Sequence, residues 1–131
     1  MSNQQKEVPV RVRPLRRRLE AALSLLPGRL PGEIEAIDVI LVERTVMARV
    51  HGNFFDDPTE TDVITFPYGE ILVCPAVARD QSPGHGLEVE EEVLLYALHG
   101  LLHLAGYDDA TPALARRMAR AQSRLLKRVL A

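Results

Sequence analysis

At 131 residues, with 47% hydrophobic side chains, the chain has the length of one domain and enough apolar mass to bury a core. Its single cysteine, Cys74, excludes an internal disulfide and a cysteine-based zinc knuckle. No apolar run nears the roughly 18 residues of a membrane span, and the opening MSNQQKEVPVRVRP lacks the apolar block of a signal peptide. One soluble, non-secreted domain over residues 1–131 is therefore expected. The net charge of −2 hides an asymmetry. Residues 1–18 carry Lys6, Arg11, Arg13, Arg16, Arg17 and Arg18 against Glu7. From Pro112 onward there are Arg116, Arg117, Arg120, Arg124, Lys127 and Arg128 and no acid. Basic ends on an acidic body permit contact with a polyanion; solvated helix faces are the default reading of such runs.

In chain order, residues 1–10 read as a loose start. Pro14 opens a helix, PLRRRLEAALSLL, with Leu15, Leu19, Ala22, Leu23 and Leu26 at helical spacing, and the Pro/Gly-rich 27–32 stops it. Ile34–Val42 reads as a strand. Thr45 looks like an N-cap for a short helix to about Asn53, and Asp56-Asp57-Pro58 is a turn. Asp62–Phe66 and Glu70–Cys74 are β-rich runs separated by Pro67-Tyr68-Gly69, which suggests a hairpin. Cys74, at the end of the second run, reads as buried packing. Pro75 opens a short helical turn and 82–86 is a loop. A long helix follows from about Leu87 to Ala105, with Glu88, Glu90, Glu91 and Glu92 in its first turns, where carboxylates suit the helix dipole. Gly106 sits where a left-handed cap belongs, and Thr111-Pro112 is an N-cap with an N1 proline before the last helix. This order predicts an α/β or α+β fold, a small mixed β-sheet covered by helices.

The chemistry concentrates in Ala97-Leu-His99-Gly-Leu-Leu-His103-Leu-Ala-Gly106-Tyr-Asp108-Asp109. Residues i and i+4 share a helix face, so His99 and His103 can aim ring nitrogens at one point. Gly106 lets the helix end abruptly, so that Asp108 or Asp109 can swing back toward them as a third donor. Catalytic zinc sites use three such ligands and an open position. The alternative is an apolar helix carrying two core imidazoles, each then needing a hydrogen-bond partner. Gly100 stands where zinc proteases with HExxH carry their glutamate, so peptide hydrolysis by that mechanism is not expected.

His99-Gly-Leu-Leu-His103-Leu-Ala-Gly106-Tyr-Asp-Asp109 resembles the HGxLHLxGYDH signature of the YbeY-type rRNA-maturation endoribonucleases. Thr61-Asp62-Val-Ile-Thr-Phe66-Pro and Gly69-Glu-Ile-Leu-Val-Cys-Pro75 resemble that family's PT(D/N)VLSFP and LGDIxIxxP stretches. The similarity runs from about Glu33 to Leu125. It implies a mixed sheet with helices around it and a metal in an open cleft. It also implies a single-strand-specific endoribonuclease of the cytoplasm, acting in small-subunit rRNA 3′-end maturation and ribosome quality control, with the ribosome as partner. One divalent metal, commonly Zn2+, is then expected on His99, His103 and Asp109.

Two departures stand out. Asp109 replaces the third signature histidine; a carboxylate is a competent ligand, but it weakens the ion as a Lewis acid and shifts preference toward harder ions. Phe55 occupies the position of a family arginine that could hold phosphate, and neither Asp56 nor Asp57 replaces that cation. His51 matches a family asparagine and is a candidate proton donor or phosphate contact, with a solvated helix-end histidine as the alternative. Asp108 is expected to support the turn.

The metal can polarise a phosphoryl oxygen or lower the pKa of bound water. Other functions left open are a different metallohydrolase and a ribosome-associated RNA-binding module with a structural metal. Phe54, Phe55, Phe66, Tyr68, Tyr96 and Tyr107 read as core or turn residues, leaving little for base stacking.

Overall fold

The computed structural model describes residues 1–55 and 61–131. The turn expected at Asp56–Pro58 lies outside the described residues. Elements follow in the order β1 (Ser2–Asn3), α1 (Val12–Leu25), β2 (Asp38–Leu41), α2 (Arg44–Phe55), β3 (Val63–Phe66), β4 (Glu70–Val73), α3 (Pro75–His85), α4 (Val89–Leu104) and α5 (Pro112–Leu130). The sheet has the order β1-β2-β4-β3. β1 and β2 are parallel, β2 and β4 are parallel, and β3 and β4 form the expected antiparallel hairpin. The result is the mixed, helix-covered sheet that the element pattern predicts.

Side chains alternate across β4 and so divide the core. Ile71 and Val73 meet Leu94, Leu98, Leu101 and Leu102 of α4, with α1 and α5 closing that layer. Leu72 and Cys74 face Met47 of α2, together with Ile64 and Phe66 of β3. Leu98, Leu101 and Leu102 are at most 1% exposed, and burying each such side chain contributes about 1.5–3 kcal/mol. α4 is thereby fixed on the sheet. At Gly100 the helix lies tight on the sheet: a Cβ there would sit 2.9 Å from both Ile71 Cγ2 and Thr65 Oγ1. Burial holds the Cys74 thiol above its ordinary pKa, which suits the packing role expected for it.

Several boundaries depart from the expectation, each for a tertiary reason. The start of the chain is not loose. Ser2 and Asn3 pair with Ile40 and Leu41, Gln5 and Val8 are buried, and Gln5 Nε2 donates to the Val8 carbonyl at 2.8 Å. β2 is shorter than 34–42, because its partner β4 offers only Glu70–Val73 for pairing. α2 begins before Thr45, its Arg44 amide donating to Glu7 Oε1 at 2.8 Å, so the cap comes from the N-terminal segment.

α3 is a full helix where a turn and a loop were expected. Pro83 lies inside it and cannot donate to the Arg79 carbonyl; Ser82 Oγ approaches that oxygen at 3.5 Å instead. Gly86, at φ 66°, closes the helix in the left-handed region. His85 Nδ1 then reaches both carboxylate oxygens of the fully buried Glu92 on α4, at 2.9 and 2.8 Å. Tyr96 donates to Gln81 Oε1 at 2.5 Å. Burial, reinforced by Glu92, pushes the Tyr96 phenol well above its ordinary pKa.

Candidate metal centre

α4 starts at a capping box between Glu88 and Glu91 and ends at Leu104, with His103 in its last turn and His99 one turn earlier. Gly106, at φ 101°, allows the reversal. The Tyr107 amide donates to the Leu102 carbonyl at 2.9 Å and the Gly106 amide to that of His103 at 3.1 Å, the paired bonds of a Schellman cap. Asp108 Oδ1 accepts from the Ala110 amide at 3.0 Å, supporting the turn. Arg117 of α5 lies 5.2 Å over the Tyr107 ring and holds the turn from outside.

The reversal brings His99, His103 and Asp109 together, one ligand atom of each lying within 4.8 Å of the others. The two Nε2 atoms are 3.1 Å apart. Asp109 Oδ2 is 3.7 Å from His99 Nε2 and 3.6 Å from His103 Nε2. The imidazoles are 29% and 30% exposed and Asp109 is 48% exposed, so the cluster opens to solvent.

The other ring nitrogens decide what this cluster wants. His99 Nδ1 is 2.7 Å from Gln122 Oε1 on α5, and His103 Nδ1 is 3.0 Å from the Tyr107 carbonyl. Both partners are oxygens that only accept, so both Nδ1 atoms carry the proton. With Nδ1 so engaged, a ring without a second proton presents an Nε2 lone pair to the other. Two lone pairs and a carboxylate oxygen facing one point repel unless a positive charge, a metal ion or a shared proton, lies between them. Their 3.1 Å spacing is close to the ~3.3 Å between two imidazole nitrogens on one tetrahedral zinc. The donor set therefore fits a divalent metal, and the N–H contacts are the outer-shell kind that fix tautomer and aim.

The cluster opens on a cleft of about 610 Å³ lined by His99 and His103 together with His51, Phe55, Thr61, Asp62, Thr65 and Pro67. His51 from α2 thus shares the cleft with the two α4 imidazoles, and its ring centroid lies 5.3 Å from that of Phe55. Gln122 is a site residue that the sequence reading missed. Its signal was present: it falls among Met118, Ala121 and Leu125, a polar side chain on the inward face of an amphipathic helix. Phe54 and Phe55 do not join the core; they are 66% and 55% exposed.

Fold and site define an α+β protein with a candidate two-histidine, one-carboxylate metal centre in an open cleft. The sequence model of the family described as endoribonuclease YbeY matches residues 1–130, and the chain belongs to that family. It is 38% identical over 112 residues to endoribonuclease YbeY of Kineococcus radiotolerans, covering 72% of this chain and 65% of that protein. It is 38% identical over 86 residues to that of Protochlamydia amoebophila, covering 57% of each. The match to the Beutenbergia cavernae protein is 34% over 112 residues, covering 72% and 75%. The chain thus spans less than two thirds of the length of the first two relatives. The solution structure of TM1509 from Thermotoga maritima is similar at a TM-score of 0.70 and 27% identity, over 98% of this chain and 87% of that one.

Proposed function

We propose that the chain is a metal-dependent endoribonuclease that cuts single-stranded RNA. It would act in small-subunit rRNA 3′-end maturation and ribosome quality control in the cytoplasm, as one domain whose partners are the rRNA precursor and the ribosome. The observation that carries the metal-dependent part is the facing pair of bare Nε2 atoms, 3.1 Å apart, with Asp109 closing the third side. Family membership supports RNA as the substrate class. No helix among the described residues is long and apolar enough to cross a membrane.

His99, His103 and Asp109 would hold one divalent ion, Zn2+ in the first place, since two imidazoles and a carboxylate suit it. Bound there, such an ion supplies Lewis acidity to a phosphodiester and makes water a better nucleophile. The chain's own residues do the rest. Gln122 and the Tyr107 carbonyl lock the imidazole tautomers, so both Nε2 lone pairs stay aimed. The Asp109 carboxylate neutralises part of the ion's charge, which favours retention over acidity. His51 lines the cleft and is assigned to hand a proton to the leaving oxygen or to contact the phosphate.

The basic face of α5 gives the polyanion a second surface. Arg116, Arg120 and Arg124 are exposed, and no ion pair joins them to a carboxylate among the described residues. Incubating pure protein with single-stranded and structured RNA, with and without chelator, tests the reading. Cleavage of the single strand should stop with chelator and in His99→Ala, and return with Zn2+ in the wild type only. Cutting that survives both treatments sinks the metal-dependent reading. RNA bound but intact at every divalent metal selects a binding module, and hydrolysis of small phosphate esters alone selects another metallohydrolase.

A further inference from the structure

Phe54, Phe55 and Tyr68 are 66%, 55% and 65% exposed, a concentration of aromatic surface in water on a chain with no tryptophan. Exposed aromatic surface gathered in this way marks interaction sites. The rings are also anchored. Phe66, at the end of β3 and only 9% exposed, stacks on Tyr68 with centroids 5.5 Å apart and planes at 17°, and meets Phe54 edge-on at 5.2 Å. Phe55 leans on His51. Ordering these rings on binding therefore costs little further entropy.

Their position ties them to the candidate centre. Phe55, His51 and Pro67 line the same cleft as His99 and His103, Phe54 precedes Phe55 in α2, and Tyr68 follows Pro67 in the β3–β4 turn. The described lining of that cleft contains no lysine and no arginine, and it includes Asp62. Apart from an ion held by the histidine pair and Asp109, a phosphate backbone meets no cationic side chain among the described lining residues, so a strand entering the cleft needs a grip beyond charge. Unpaired bases supply it, because every base has a π-face that stacks on an aromatic ring. Bases in a duplex are already stacked and cannot be splayed onto a protein ring without unpairing.

We propose that Phe55 and Tyr68 are stacking platforms for unpaired nucleobases of single-stranded RNA entering the cleft, with Phe66 as the fixed backing for Tyr68. The inference rests on the RNA-cleaving reading above and names how that site grips its substrate and rejects duplex.

The test is equilibrium binding of a fluorescein-labelled single-stranded oligoribonucleotide to chelator-treated protein, so that no cleavage intervenes. Phe55→Ala and Tyr68→Ala should each weaken binding about fivefold or more, with the salt dependence unchanged. Phe55→Trp should bind within about twofold of wild type, its new indole emission quenched by the single strand and not by duplex. An abasic version of the oligonucleotide should bind wild type no better than it binds Phe55→Ala. Equal binding by the alanine variants, or equal binding of the abasic strand, overturns the proposal. So does sedimentation showing a wild-type dimer that Phe55→Ala dissolves, because the rings then cover a second copy. A protein that cuts RNA yet ignores both ring substitutions loses only the stacking proposal; one that neither binds nor cuts RNA loses the functional reading as well.

Discussion

His99 Nε2 and His103 Nε2 face each other at 3.1 Å, and the Nδ1 of each ring is hydrogen-bonded to an acceptor oxygen on its far side. This relationship makes the metal-ion prediction specific. Wild type should bind one Zn2+ per chain, and His99→Ala or His103→Ala should leave none at micromolar metal, read by elemental analysis after gel filtration. Asp109→Ala keeps the imidazole pair and should lose about tenfold or more in affinity, at least what a lost outer-shell partner costs. Asp109→His should keep the ion and raise the rate of RNA cleavage, since a neutral third ligand leaves more positive charge on it. A slower Asp109→His enzyme with full metal occupancy would contradict that charge argument.

Gln122 reaches the centre only through His99, at 2.7 Å. Gln122→Leu should lower Co2+ or Zn2+ affinity about 10–100-fold by freeing the ring to rotate and change tautomer. Gln122→Glu keeps an acceptor at the same place and should restore binding. A cobalt absorption spectrum distinguishes the two outcomes: disordered coordination in the leucine variant, a wild-type spectrum in the glutamate variant. If both variants bind metal like wild type, the tautomer is fixed by something else.

How much of this was legible in the sequence follows from how local each signal is. The His99–His103 pair and the Gly106 reversal depend on contacts within one helix and its cap, so spacing alone exposes them. Likewise, the β3–β4 hairpin follows from two β-rich runs around Pro67-Tyr68-Gly69. By contrast, β1 is two residues long and carries no periodicity, existing only because β2 offers Ile40 and Leu41. The continuation of α3 through Pro83 depends on Ser82 Oγ and on the tether from His85 to Glu92, a contact between helices that no local pattern announces. Phe54 and Phe55 mislead for the opposite reason, since an apolar ring in a helix reads as core until the neighbours that fail to cover it are known.

Gly100 should not tolerate a side chain. A Cβ would lie 2.9 Å from Ile71 Cγ2 and Thr65 Oγ1 and 3.0 Å from Ile71 Cδ1, against the fully buried Ile71 and the partly buried Thr65. Gly100→Ala gains up to about 1 kcal/mol of helix propensity, yet overpacking costs about 1–3 kcal/mol. Net destabilisation in urea is expected, together with weaker metal binding as α4 lifts from the sheet. A more stable variant would show that the helix can shift without strain.

Alkaline pH should unfold the protein through Tyr96 and Cys74. Burial raises both pKa values, so the folded state keeps protons that the unfolded chain releases. Stability is therefore intact below the unfolded values, near 9 for the thiol and 10 for the phenol, and falls as pH rises beyond them. The slope is about 1.4 kcal/mol per pH unit for each group fully engaged. Tyr96→Phe should be less stable near pH 7, because Gln81 Oε1 loses its donor, but should show a shallower decline above pH 10. Urea midpoints from pH 7 to 11 measure both effects, and an unchanged alkaline slope would assign the loss to other groups.

The exposed basic face of α5 makes a separable electrostatic prediction. Gln122 of α5 contacts His99, so α5 borders the candidate centre, and Arg116, Arg120 and Arg124 are exposed on this helix, where a strand bound as proposed would meet them. Each phosphate they neutralise adds about 0.7 to the slope of log affinity against log salt for single-stranded RNA. Replacing the three with alanine should weaken binding at low salt and reduce that slope by up to about 2, whereas Phe55→Ala should weaken binding and leave the slope alone. Stacking at the rings and charge on α5 act on different parts of the strand, so the losses should be close to additive. Strong non-additivity would place rings and arginines on the same nucleotide, and a slope unchanged by the triple substitution would make this face a solvated one with no phosphate on it.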